Sequence, residues 1–226
     1  MGQATASPAQ GISKKTIKDV DVRGKRLLIR ADFNVPLDEQ GRITDDTRIR
    51  ETLPTLEHAL KQDAKVVLMS HLGRPDGKRN PKYSLKPVAE RLGQLLKRPV
   101  LFLEDSIGPS VEQRVHDMKP GEVVLLENVR FYAEEEANDP KFAKALALLG
   151  EIFVNDAFGT AHRAHASTAV IAKSFKENVA GFLMEKEIDY LGRALSGAEH
   201  PFVAILGGAK VSDKVAVIVN LLEKVD

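Results

Sequence analysis

The sequence predicts an α/β chain in which a parallel β-sheet lies between flanking helices. Three observations predict it: short runs of consecutive apolar residues recur along the chain, segments with helical apolar spacing separate them, and capping residues or prolines mark where those segments start. Four or five apolar residues in a row, bounded by Gly, Pro or polar residues, suit strands buried on both faces. Repetition of strand and helix then implies a parallel sheet with right-handed crossovers.

Taken in order, strands are expected at 26–31, 65–70, 100–103, 122–126, 152–154 and 202–206. Helices are expected at 47–61, 84–97, 107–117, 138–149, 185–196 and 209–224. Asp45 or Asp46, Ser84, Ser106 and Asn138 are the candidate caps, with Pro87 and Pro140 in or near first turns. Residues 1–15, rich in Ala, Ser and Gln at their start, read as a mobile tail. Residues 16–184 hold a complete run of strand–helix units, a Rossmann-like three-layer sandwich. A charged linker helix at 185–199 is broken by GAEHP at 197–201. Residues 200–226 then read as the opening strand–helix unit of a second domain, which is too small to make its own core.

Composition narrows the function. Of 226 residues, 43% are hydrophobic, enough for a real core and incompatible with general disorder. Lys and Arg number 33 against 32 Asp and Glu, so the net charge is +1, which argues against a broad nucleic-acid surface. Only 5% of residues are aromatic and Trp is absent, which argues against a base-stacking platform. The absence of Cys excludes disulfides, thiolate metal sites and a Cys nucleophile. No apolar run reaches 18 residues, so no membrane span is expected, and the N-terminus lacks the apolar stretch of a secretory signal.

In open α/β sheets ligands bind beyond the carboxyl ends of the strands. The segments following the predicted strands carry Asp32 and Asn34, then His71 and Arg74, then Arg130, then His162, Arg163 and His165, while Arg48 lies in the first turn of the first long helix. Four guanidinium groups on one rim repel each other unless an anion joins them, and Arg forks match phosphate and carboxylate geometry. The opposing reading pairs each Arg with a nearby acid: Asp45, Asp46, Asp76 or Glu127. Asp32 either orients one of these Arg residues or accepts a hydroxyl from the ligand. The HxxH spacing of 162–165 lacks an evident third ligand, and no metal site is expected. At 206–214 a strand running into Gly207 and Gly208 is followed at once by a helix, which presents free N–H groups to an anion. Lys210 opposes the helix dipole there unless an anion offsets it, and Lys214 lies one turn on. Neither a Walker A pattern nor a G-x-G-x-x-G occurs.

Five strings, RADFNVP at 30–36, SHLGRP at 70–75, LENVRF at 126–131, NDAFGTAHRAH at 155–165 and LGGAKVSDK at 206–214, together resemble the phosphoglycerate kinase family. The resemblance implies phosphoryl transfer between 1,3-bisphosphoglycerate and ADP, giving 3-phosphoglycerate and ATP, with Mg²⁺ carried on the nucleotide. It further implies a cytoplasmic monomer of two lobes, of which this chain holds the first while the second is mostly missing, so that the chain itself is expected to be nearly inactive. By the same resemblance Asp32, Phe33, Asn34, His71, Leu72, Gly73, Arg74, Arg130 and Arg163 hold phosphoglycerate. Arg48 lies in that pocket beside the transferring group, Lys210 stabilises the moving phosphoryl group, and Lys214 binds nucleotide phosphate. Two alternatives remain open: a stand-alone phosphoglycerate- or anion-binding module without catalysis, and a sugar-phosphate isomerase using His71 or Asp32 as base.

Overall fold

A computed structural model describes residues 14–196, 201–207, 215–222 and 225–226. Six parallel strands form one sheet: β1 (Arg26–Ala31), β2 (Lys65–Met69), β3 (Val100–Leu103), β4 (Val123–Leu126), β5 (Ile152–Asp156) and β6 (Asn178–Ala180), in the order β3-β4-β2-β1-β5-β6. The α/β class and the parallel sheet are therefore as the sequence predicts. The chain leaves β1 toward β2 on one side, whereas it leaves the neighbouring β5 toward β6 on the other. The carboxyl ends of β1 and β5 thus flank a point where the connections diverge, and a crevice opens there in such sheets.

Alternation along the strands divides the core into two layers. Leu27 and Ile29 of β1 pack into one, with Val66 and Leu68 of β2, while Leu28 packs into the other with Val67, Met69, Val124 and Phe153. The first layer is covered by α1 (Thr47–Lys61) and α2 (Lys86–Leu96), through Ile49, Leu56, Val88 and Leu92. The second is covered by α3 (Pro109–His116) and α5 (Pro140–Ala147), through Val111, Val115, Phe142 and Leu146; the single turn α4 (Ala133–Glu136) precedes α5. A strand with side chains buried on both faces needs apolar residues without alternation, which is why these strands read as continuous runs.

The helix starts differ from expectation in an instructive way. Helices expected to begin at 84, 107 and 138 begin two residues later, at Lys86, Pro109 and Pro140. At Pro109 and Pro140, proline at the first helical position already has the helical φ and lacks an N–H that would go unpaired, and in α2 Pro87 stands in the first turn. Asp139, not Asn138, caps α5, accepting from the N–H groups of Lys141 at 2.7 Å and Phe142 at 2.8 Å. Asn138 takes a left-handed turn at φ 54° instead. Ser106 is no cap: it is buried and donates to the Glu127 carbonyl at 2.7 Å. Neither α4 nor β6 was expected, since one turn and three residues are too short to show a period.

The next helix, α6 (Phe182–Ser196), starts on a buried carboxylate. Asp156, at the end of β5, accepts from the N–H groups of Leu183 at 2.9 Å and Met184 at 3.3 Å, and Thr55 of α1 accepts from that of Phe182 at 2.9 Å. A Cβ at Gly181 would fall 2.2 Å from the Asp156 carboxylate, so only glycine lets the chain pass. Burial pushes the Asp156 carboxyl pKa up, and its Oδ2 has no hydrogen-bond partner.

The chain divides into two compact units, Lys14–Glu185 and one that includes Lys186–Asp226. In the latter the expected strand at 202–206 is absent: Phe202 and its successors are irregular, since a strand is held only by the ladder of a neighbour and no described strand pairs with them. Phe202 instead exchanges hydrogen bonds with Asp226, donating to its carboxylate at 2.6 Å and accepting from its N–H at 3.0 Å. Helix α7 (Val215–Leu222) follows within the expected 209–224. Val203, Val215, Val219 and Leu222 are exposed, and Ile205 is 94% exposed.

Two outcomes are expected. Backbone amides of 202–206 and 215–222 exchange close to free-chain rates, while those of 66–69 and 123–126 stay protected, because few buried contacts oppose local opening in the former; core-like protection across 202–222 would refute this. A folded-state carboxyl pKa above the unfolded value means the native chain binds the proton more tightly, so this group's contribution to stability falls as pH rises through that window. The urea midpoint of Asp156→Asn should therefore gain on that of the wild type between pH 4 and pH 8, and a pH-independent difference would contradict it.

Candidate functional site

The loops beyond β1, β2, β4 and β5 are stitched together by polar contacts. Asn34 accepts from the Gly73 N–H at 2.8 Å, and Ser70 accepts from the Phe33 N–H at 2.8 Å, which ties the β1 loop to the β2 loop. Asn128, after β4, donates to the carbonyls of Leu72 at 2.7 Å and Tyr83 at 2.9 Å and accepts from the Arg130 N–H at 3.0 Å. Buried Glu127 accepts from the N–H groups of Leu85 and Asn128, each at 2.8 Å, and from the Ser84 hydroxyl at 2.8 Å. Gly73 sits at φ +62° with the Tyr83 ring 2.4 Å from where a Cβ would stand, so a side chain there would drive the ring out of the rim.

This frame brings the predicted cations together. Arg48 forms an ion pair with Asp32, so Asp32 orients an Arg, one of the two roles open to it from sequence. Arg130 is 3% exposed; its Nη1 donates to the Gly73 carbonyl at 2.9 Å, and its Nε lies 3.5 Å from Glu136. Its Nε and Nη2 are nonetheless buried without a hydrogen-bond partner. Burial lowers the pKa of Arg130, and Arg163 and Arg74 add to that by repulsion. Among the described residues no carboxylate forms an ion pair with Arg74 or Arg163.

Three of the four local acids offered as alternative partners, Asp45, Asp46 and Glu127, are engaged elsewhere. Asp46 pairs with Arg50 and Arg91, each at 2.7 Å, Asp45 accepts from the Thr47 N–H at 2.8 Å, and Glu127 serves the backbone. With Arg48 and Arg130 paired to Asp32 and Glu136 but Arg74 and Arg163 to no carboxylate among the described residues, the arginines create an incompletely compensated positive field. His71 registers it: the ring is buried and its pKa is driven far below the ordinary value, first by burial and then by Arg30, Arg130, Arg163 and Arg48. A positive field of this kind attracts an anion with several oxygens.

Two residues expected on the rim belong to its loops by their backbone only. The side chains of Phe33 and Leu72 are in the core, where they anchor the loops. His162 is exposed and His165 lies 4.0 Å from Glu135; no cluster with metal-binding composition occurs among the described residues. Lys210 and Lys214 lie outside the described residues. Sequence reasoning missed Arg30, Glu135 and Ser167, which meet beneath the rim. The one available signal was a charged residue, Arg30, in a run otherwise apolar.

The chain matches the family model described as phosphoglycerate kinase over residues 17–226. It is similar to the phosphoglycerate kinase of Chloroflexus aggregans, 62% identical over 217 residues, covering 95% of this chain and 54% of that one. It is similar also to that of Koribacter versatilis, 59% identical over 221 residues, covering 95% and 55%. Among solved structures, the phosphoglycerate kinase of Coxiella burnetii superposes with a TM-score of 0.83 at 42% identity, over 95% of this chain and 53% of that one. That of Pyrococcus horikoshii gives 0.84 at 36% identity, over 94% and 54%. The chain spans about half the length of the relatives it matches.

The field at His71 has a consequence for stability. Its folded-state pKa is depressed, so the unfolded chain takes up the proton first, and stability falls as pH drops below the unfolded value near 6.5. Between pH 7.5 and 5.5 the wild type should lose on the order of 1 kcal/mol more than His71→Gln, read from urea unfolding at the two pH values. Equal losses would show that His71 charges freely in the folded chain.

Proposed function

The chain belongs to the phosphoglycerate kinase family, and from that premise we propose that its rim of arginines binds the phosphoglycerate end of 1,3-bisphosphoglycerate for transfer of the acyl phosphate to ADP. The observation that carries this reading is the set of cations at the β1/β5 divergence that the protein leaves without enough acids. In this reading Arg74, Arg130 and Arg163 grip the carboxylate and phosphate oxygens, and His71 and Asn34 complete the rim. Arg48, aimed by Asp32, stands beside the transferring group. Lys210 neutralises the moving phosphoryl group and Lys214 holds nucleotide phosphate, with Mg²⁺ arriving as part of the nucleotide. The transfer is in line and needs no covalent intermediate: the nucleotide oxygen attacks phosphorus as the bond to the acyl oxygen breaks. Positioning and charge are then what the protein supplies, and each well-placed donor to the developing charge is worth about 3–4 kcal/mol.

The same reading assigns a hinge to 185–199, nucleotide contacts to 200–226, and a monomer working in the cytoplasm. No helix among the described residues is long and apolar enough to cross a membrane.

The arginines are tested by calorimetry with 3-phosphoglycerate. Arg130→Ala and Arg163→Ala should each weaken binding by about 1.5–3 kcal/mol, the worth of a charge-assisted contact. Arg91→Ala, whose guanidinium is occupied by Asp46, should leave affinity unchanged. Unchanged affinity in both rim variants would overturn the assignment. ADP-dependent turnover in a coupled assay would favour a kinase over a phosphoglycerate-binding module, whereas binding without turnover is expected of both readings for a chain that spans about half of its relatives.

A further inference from the structure

Beneath the rim lies a chain of buried polar groups that contacts no ligand in the reading above. Arg30 is the next residue after Leu28 on the same face of β1, where an apolar side chain would continue the core; it is 1% exposed. Its Nε donates to Ser167 Oγ at 2.9 Å, its Nη1 to the Ala31 carbonyl, and its Nη2 lies 3.2 Å from His71 Nδ1. Ser167 in turn donates its hydroxyl to Glu135 Oε1 at 2.6 Å and its N–H to Oε2 at 2.9 Å. Ser167 and Glu135 are wholly buried, and the Glu135 carbonyl also accepts from the Ala166 N–H at 2.8 Å.

The directions of these bonds follow from chemistry. A guanidinium has donors only, so Ser167 Oγ must accept from Arg30 and pass its own proton toward Glu135. For the same reason His71 Nδ1 must accept, and so carries no proton. A neutral imidazole with Nδ1 bare has its proton on Nε2. Glu135 supplies the counter-charge that makes a buried guanidinium tolerable at this place.

We propose that Glu135, Ser167 and Arg30 form a positioning relay that holds His71 in one ring orientation and in the Nε2–H tautomer, so that it meets the anionic ligand as a neutral hydrogen-bond donor. The ligand half of this statement rests on the reading under Proposed function. The groups facing the ring are Arg30 on β1, Asp32 after it at 3.9 Å from Nδ1, Arg48 on α1, and Arg130 and Arg163 beyond β4 and β5. Four cations against one carboxylate oppose protonation from every side. The relay decides which nitrogen bears the remaining proton, and it joins α4 to the segment that carries Arg163.

Long-range proton–nitrogen correlation spectra of the ¹⁵N-histidine-labelled chain, without ligand, read the tautomer directly. Wild-type His71 should show Nε2 protonated and Nδ1 bare, unchanged from pH 5 to pH 8. Ser167→Ala removes the acceptor of Arg30 Nε and should return His71 to a mixture of tautomers, with 3-phosphoglycerate binding weaker by about tenfold. A wild-type ring protonated on Nδ1, or titrating within that range, would overturn the proposal without any variant. So would a folded Ser167→Ala chain whose His71 signals match the wild type. Absence of 3-phosphoglycerate binding by the wild type, together with the expected tautomer and its loss in Ser167→Ala, would refute the phosphoglycerate reading and support the relay.

Discussion

Keeping several guanidinium groups close together in the absence of a ligand is the constraint on which the rest of this site depends. Like charges at short range repel, and burial raises the cost. The chain meets it by tying three of them down separately. Arg48 is held by Asp32, Arg130 by the Gly73 carbonyl and Glu136, and Arg30 by Ser167 with Glu135 behind it. What is left over is a fixed positive field with unpartnered donors, Arg130 Nε and Nη2 among them. Groups fixed in advance need no reorganisation when charge arrives, which is the condition under which electrostatic stabilisation is strongest.

The sheet makes this possible by its connectivity. Four loops reach the rim because strands β1, β2, β4 and β5 are neighbours whose carboxyl ends share one edge. Short polar side chains then fix the loops to one another: Asn34 holds the Gly73 N–H, Ser70 that of Phe33, and Asn128 the Leu72 carbonyl. Backbone groups that would go unpaired near a binding rim are satisfied in this way, and the loops keep their shape.

A buried carboxylate also links the site to the helix that leaves the first unit. Asp156 ends β5, immediately before the segment that carries Arg163, and its Oδ1 takes the N–H groups of Leu183 and Met184 in the first turn of α6. One residue therefore ends a strand of the sheet and anchors the start of α6. Its second oxygen is without a hydrogen-bond partner, and burial makes the proton easier to keep, so the anchor is held at some cost in stability at neutral pH.

Residue type and period by themselves determined the fold class, five of the six strand positions expected, and the long helices, α1 at its full extent. Those features depend on apolar runs and on 3.6-residue spacing, which are local. The rim arginines were legible for a related reason: strand ends in a parallel sheet point to one edge, so residues that follow apolar runs can be assigned to a common rim from their order along the chain. Tertiary structure alone decided the rest. Whether 202–206 is a strand depends on a partner strand, and Phe202 instead pairs with Asp226. Whether Asp32 meets a ligand or Arg48 depends on how α1 lies against the β1 loop. Arg30, Glu135 and Ser167 stand 32 to 137 residues apart in sequence, yet they share one buried chain of hydrogen bonds. No local pattern marks such a group, because a buried charge is tolerated only where distant segments bring its partners within reach.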